Sequence, residues 1–179
     1  MTTIISPLDK LPSRQEAAIL IIGAEGVGKH NLALSIVNVS APFAVQCRIA
    51  TELPLTNENS DTRPRIDFLC YVLSQANKSS VQTVKDAFTK VDVRYFIGRS
   101  CLVVCRGKDT SKWSVDAEMI SQLTDNFDLP VLFVDIECPN DRSVLANRIL
   151  SMLEVAAGFK KNVSPLLFDA TRMNYEMTL

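Results

Sequence analysis

Apolar residues along the chain follow two alternating rhythms: short unbroken runs, and longer stretches in which they recur every third or fourth position. The unbroken runs lie near 17 to 22 (AAILII), 66 to 73 (IDFLCYVL), 101 to 105 (CLVVC) and 131 to 136 (VLFVDI). Such runs leave no face for water, which suits strands buried on both sides of a parallel sheet. Residues 44 to 50 (AVQCRIA) alternate more and carry Arg48, which predicts an edge strand.

Helical spacing fills the intervals. It runs from His30 to Asn38 through Leu32, Leu34, Ile36 and Val37. It returns at Val81, Val84, Phe88 and Val91, behind a capping box of Ser79 with Gln82. Val115, Met119, Ile120, Leu123 and Phe127 form a third helical set, and Leu145, Ile149, Met152, Leu153 and Ala156 a fourth. Strand and helix therefore alternate, which predicts an α/β domain of three layers with a mostly parallel sheet and right-handed crossovers. Residues 54 to 65 (PLTNENSDTRPR) read as a polar loop, and Pro64 and Pro130 stand just ahead of strands. After Gly158 the periodicity fades into a tail, 159 to 179, that still carries Leu166, Leu167 and Phe168.

Composition narrows the class without changing this layout. The 179 residues, 47% apolar and 22% charged, suit a single domain spanning 1 to 179 with its own core. Nineteen basic against twenty acidic residues leave a net charge of −1, so no global field draws the chain to nucleic acid or anionic lipid. Direct nucleic-acid or membrane binding is not expected. The apolar runs are far shorter than the ~20 residues that span a bilayer, and the opening MTTIISPLDKLPSRQ lacks a signal layout. A soluble, non-secreted protein is expected. Five cysteines, mostly inside apolar segments, point to buried reduced thiols. Cys101 and Cys105, four strand residues or roughly 13 Å apart, are too distant for a disulfide. A single histidine makes a zinc site improbable, and no metal or cofactor is expected.

One loop carries chemistry. Three of the six glycines fall in Gly23-Ala24-Glu25-Gly26-Val27-Gly28-Lys29-His30, between the first strand and the first helix. A phosphate-binding loop has this context: glycines let backbone N–H groups turn inward, the helix N-terminus adds positive potential, and the lysine reaches the outer phosphates. The spacing matches GxxxxGK and fails at the next position. A nucleotidase needs a Ser or Thr hydroxyl there as a hard ligand for magnesium, and His30 offers a softer imidazole.

The other nucleotide contacts are missing too. No DxxG occurs in the chain; Asp67 stands at the wrong end of its strand, and Asp135 closes only the last one. Thr89-Lys90-Val91-Asp92 fits the TKxD pattern of guanine recognition but ends a helical stretch, and so reads as a decoy. The segment in the right place is Arg106-Gly107-Lys108-Asp109, where only Asp109 survives as a remnant of a base-recognition loop. His30 has no placed nucleophile to serve, so capping the loop and helix is its simpler role. Trp113, with Arg94, Arg99, Arg106, Lys108 and Lys112, is interleaved with acids and reads as a solvated face. Val93, Tyr95, Phe96 and Ile97 are large apolar residues in a connecting segment, either a cover for the sheet or an exposed adhesive patch. Leu166, Leu167 and Phe168 raise the same question.

Strand, GxxxxGK loop, helix, alternating strands and a remnant base loop together resemble a small GTPase whose switch regions are lost. Within that class the chain is similar to the centromere protein M family. The markers are the opening Pro7-Leu-Asp-Lys-Leu-Pro12, Leu53-Pro54-Leu55, Arg63-Pro-Arg-Ile-Asp67, Val91-Asp92 followed by Phe96-Ile97-Gly98, and Ala156-Ala157-Gly158. The resemblance covers essentially the whole chain. It implies a nuclear pseudo-GTPase, a subunit of the inner kinetochore that binds centromere proteins H, I and K, chiefly the helical-repeat protein I, within the constitutive centromere-associated network. The loop departs from the family pattern in being closer to a working phosphate loop. Two expectations follow. In the first, the chain is a non-enzymatic assembly subunit with a non-functional loop (Gly23, Gly28, Lys29, His30) and a partner surface of Tyr95, Phe96, Ile97, Leu166, Leu167 and Phe168. In the second, it is an atypical GTPase, ATPase or kinase with residual nucleotide binding.

Overall fold

The computed structural model describes residues 5, 6, 10–55, 63, 65–107 and 110–163. Among the described residues, five strands and four helices follow in the order β1 (Glu16–Ile22), α1 (Lys29–Asn38), β2 (Ala44–Ala50), β3 (Phe68–Ser74), α2 (Ser79–Phe88), β4 (Ser100–Cys105), α3 (Ala117–Thr124), β5 (Val131–Val134) and α4 (Pro139–Ala156). The sheet order is β2-β1-β3-β4-β5, and every pairing is parallel. The layers are those of a small-GTPase-like α/β domain. The strand read from residues 44 to 50 is indeed an edge, and β5 is the other.

The uniformly apolar strands feed two cores. Ile19, Ile21, Phe68, Cys70, Val72, Cys101 and Val103 face one side of the sheet and pack with Leu32, Ile36, Ile149 and Leu153 of α1 and α4. Leu20, Ile22, Leu69, Tyr71, Leu73, Leu102 and Val104 face the other side and pack with Val84, Phe88, Ile120 and Leu123 of α2 and α3. Each fully buried Leu, Ile or Val contributes about 1.5–3 kcal/mol through apolar burial, so the central strands gain from both faces.

Several boundaries differ from the sequence reading for local reasons. The Ser79–Gln82 capping box does not form. Lys78 already has helical angles, and Asn77 Oδ1 instead accepts from the Ser79 backbone N–H at 3.0 Å and from Ser79 Oγ at 2.7 Å. Gln82 is left to donate to Asp86 at 2.7 Å. The third helix is shorter than its apolar spacing suggested, because Asp116 caps it by accepting from Met119 N–H at 2.8 Å. Val115 and Phe127 lie outside it and still pack on the core. Strand β5 stops at Val134 because the Asp135 carboxylate takes the Glu137 N–H at 3.0 Å and turns the chain toward Pro139, the first residue of α4.

All five cysteines are free. Burial holds the Cys47 thiol at about 11 and pushes Cys105 up to about 12, so both stay protonated and unreactive.

Candidate functional site

The glycine loop leaves the C-terminal end of β1, the strand flanked by β2 on one side and β3 on the other. In open α/β sheets ligands bind at such a reversal of strand order. Here the loop is held by its own protein. A Cβ on Gly23 would collide with the carbonyl oxygen of Val72, so this glycine is required by the close approach of β3. Gly28 has φ +90°, and a Cβ there would sit 2.7 Å from Ile136 in the β5–α4 connection. Val27 is buried between them, and its carbonyl accepts from Cys105 Sγ at 3.3 Å. Packing alone therefore explains two of the three glycines. The third, Gly26, has φ +73° and open space around it.

Lys29 is 4% exposed, although a phosphate-binding lysine would point outward. Its ammonium donates to the Gly23 carbonyl, to the Ala50 carbonyl at 3.2 Å and to Thr51 Oγ1 at 3.2 Å. These three acceptors match its three protons. Burial lowers its pKa, and Glu25 pulls the other way. The lysine thus ties the β1–α1 loop to the end of β2. Outside this tie lies a shallow cavity of about 440 Å³ lined by Glu25, Gly26, Lys29, His30, Asn31 and Thr51. His30 is exposed, at the start of α1, and Glu25 brings negative charge to a mouth where a phosphate would need the opposite.

Among the described residues, ligands for a counterion do not converge on the loop. Thr51 is engaged by Lys29, and Asp135 by its own turn. Asp67 lies at the far end of β3, where it accepts from Ala18 N–H at 3.0 Å and pairs with Arg65 at 2.9 Å. Burial raises its pKa against both of those contacts and against Arg99. Among the described residues, no group of three or more His, Cys, Asp or Glu side chains gathers to hold a metal. Thr89 to Asp92 follow α2 at the end of the sheet remote from the loop; there Lys90 donates to Leu53 O at 2.6 Å and Asp92 opens a 3₁₀ turn, Val93–Phe96. At the position expected for base recognition, Arg106 stacks 4.0 Å over Phe133, and Gly107 O accepts from Trp113 Nε1 at 3.2 Å. Asp109 lies outside the described residues.

The apolar connecting segment divides in two. Tyr95 is fully buried and donates its hydroxyl to Ile66 O at 2.9 Å, so it pins the turn to the sheet and presents nothing outward. Phe96 and Ile97 are half-buried, and Val93 is exposed. Phe96 stacks on Phe127 at 4.2 Å and meets Phe88 edge-on at 5.4 Å. Sequence reading missed the cleft beside it. Phe96, Pro130, Leu132, Met152 and Val155 enclose about 440 Å³, with Lys160 on its wall. Its parts come from β5, α4 and the 3₁₀ turn, and no local pattern links them. Leu166, Leu167 and Phe168 lie outside the described residues, which end at Val163, three positions past Lys160.

A family model described as Centromere protein M matches residues 2–175. The chain is 30% identical to Centromere protein M of Xenopus laevis over 162 residues, covering 90% of each chain. It is also 30% identical to that of Homo sapiens over 164 residues, covering 92% of this chain and 90% of the relative. Centromere protein M of Danio rerio is 27% identical over 175 residues, covering 98% of this chain and 94% of the relative. A model match across nearly the whole length, with relatives at this identity and coverage, means that the chain belongs to the Centromere protein M family and is a protein of the centromere and kinetochore in the nucleus.

Proposed function

We propose that the chain is a non-catalytic structural subunit of the inner kinetochore, a pseudo-GTPase whose nucleotide loop has become a brace. The inward Lys29 carries this reading. A phosphoryl-transfer site needs its lysine and magnesium ligands aimed at the phosphates, because charge stabilisation is most of that chemistry. Here the ammonium is spent on Gly23, Ala50 and Thr51, and residue 30 lacks the hydroxyl.

In this reading the function lies in the surface. The chain binds centromere proteins I, H and K within the constitutive centromere-associated network and supports kinetochore assembly and chromosome segregation. Phe96 and Ile97 form the partner-facing part of the patch and Tyr95 holds it in place from beneath; Leu166, Leu167 and Phe168, outside the described residues, are the other candidate partner contacts. The apolar cleft next to Phe96 extends that partner-facing surface.

Two measurements on purified chain test the reading. Titration with fluorescent GTP and ATP, with and without magnesium, is expected to give no saturable binding in the micromolar range. Co-expression with proteins I, H and K is expected to give a stable assembly. Magnesium-dependent micromolar affinity would favour the atypical nucleotidase, and failure to co-purify would remove the assembly role.

A further inference from the structure

The chain contains two Ser-Pro pairs, Ser6-Pro7 and Ser164-Pro165, and of these serines only Ser6 is among the described residues. Its surroundings are specific. Ile5 is fully buried and forms a one-residue parallel bridge with Val91, accepting from Asp92 N–H at 2.9 Å and donating to Lys90 O at 3.3 Å. The bridge carries Ser6 to Arg94, whose Nη2 donates to Ser6 Oγ at 2.9 Å, and to Asp92, whose carboxylate accepts from the Ser6 hydroxyl. The same guanidinium grips Asp92, through Nε at 2.8 Å and Nη2 at 2.6 Å. Ser6 is partly exposed, and a single bridge with two backbone hydrogen bonds sits at the low-stability end of a fold, where local opening admits an enzyme.

We propose that Ser6 is a phosphorylation site for a proline-directed protein kinase, with Arg94 as the built-in receptor of the phosphate. The kinase transfers the γ-phosphoryl group of magnesium-bound ATP. A bond forms between phosphorus and Ser6 Oγ, the bond to the β–γ bridging oxygen breaks, the hydroxyl proton passes to the kinase's base, and ADP departs.

The product carries about −1.5 to −2 charge and three strong acceptors within reach of a guanidinium already in place. Arg94 then bridges phosphate and Asp92 carboxylate at the root of the turn that presents Phe96 and Ile97. Any effect on partner docking rests on the function proposed above; the site and its receptor do not.

The test uses the full-length chain with Ser164→Ala, so that one Ser-Pro remains, treated with a cyclin-dependent kinase and ATP. Phosphate is expected at Ser6 by peptide mapping and is lost in Ser6→Ala. Phosphorus NMR is then expected to show a second phosphate pKa lower by about 0.5 unit or more than in Arg94→Gln, with Arg94→Lys between the two. Because Arg94 also holds Asp92, the comparison is repeated with Asp92→Asn, where the opposing carboxylate is gone and the difference isolates residue 94. An unmodified Ser6 in the folded chain, when a peptide of residues 1 to 12 is modified, would overturn the proposal. So would identical phosphate titration with Arg or Gln at 94.

Discussion

Gly28 and Ile136 lie so close that a Cβ on the glycine would meet the isoleucine Cγ1 at 2.7 Å, joining the β1–α1 loop to the β5–α4 connection. Both this approach and its own positive φ require glycine at position 28. Gly28 and Gly26 should therefore respond unequally to alanine. Gly28→Ala combines a positive φ with overpacking and should cost about 2–4 kcal/mol. Gly26→Ala meets open space and should cost about 1–2 kcal/mol from φ alone. Urea denaturation measures both. Equal losses would mean that the Ile136 contact does not constrain the loop.

Lys29 gives the second expectation. In Lys29→Met the aliphatic stem stays and the ammonium goes, so the Gly23 carbonyl loses this donor while the Ala50 carbonyl keeps the Gly23 N–H at 3.2 Å. Losing the donor of a buried carbonyl costs about 1–3 kcal/mol, so the variant should be clearly less stable. Lys29→Arg should fail to rescue it, because a flat fork cannot enter a site shaped for a compact ammonium. A variant as stable as the parent would show that the lysine is not a brace.

How much of this was legible in the sequence depends on the range of the interactions. Phe68 to Leu73 and Leu102 to Val104 announced buried parallel strands, because double-sided burial leaves a uniform apolar run that composition alone exposes. The glycine loop was equally visible. The direction of Lys29 was not, since its acceptors Ala50 and Thr51 lie more than twenty positions away and are set by the β1–β2 pairing. Tyr95 and Phe96 read alike as surplus apolar residues; only the sheet beneath them decides that the tyrosine points in and the phenylalanine sits at the rim. The Ser79 cap failed for a smaller reason: Asn77, two positions earlier, competes for the same N–H and wins.

The turn at Val93–Phe96 separates fold from surface in adjacent residues. Tyr95→Phe removes the hydroxyl donor of the buried Ile66 carbonyl and should cost about 1–3 kcal/mol in thermal or urea unfolding, with partner assembly intact in the folded fraction. Ile97→Asp should behave oppositely. The side chain is half-buried at the end of the turn, so stability should change little while co-purification with the partner proteins is lost. Retained assembly in Ile97→Asp would move the docking surface elsewhere.

Asp92 provides a pH signature. Arg94 chiefly, through its side-chain hydrogen bonds, holds this carboxylate at about 2, below its ordinary value of 3.8. A folded pKa lower than the unfolded one means that the unfolded chain takes up the proton first. The stabilisation is therefore complete above the unfolded value and disappears as pH falls through the folded one. Asp67 works in the opposite sense, because burial raises its pKa and protonation relieves that penalty. The parent's acid limb blends the two, and Asp92→Asn resolves them. Unfolding free energies measured from about pH 5 down to about pH 2 should fall less steeply in the variant, and the difference curve should lie almost entirely between 2 and 3.8. Parallel curves for the two proteins would mean that the Asp92–Arg94 pair is no stronger folded than unfolded.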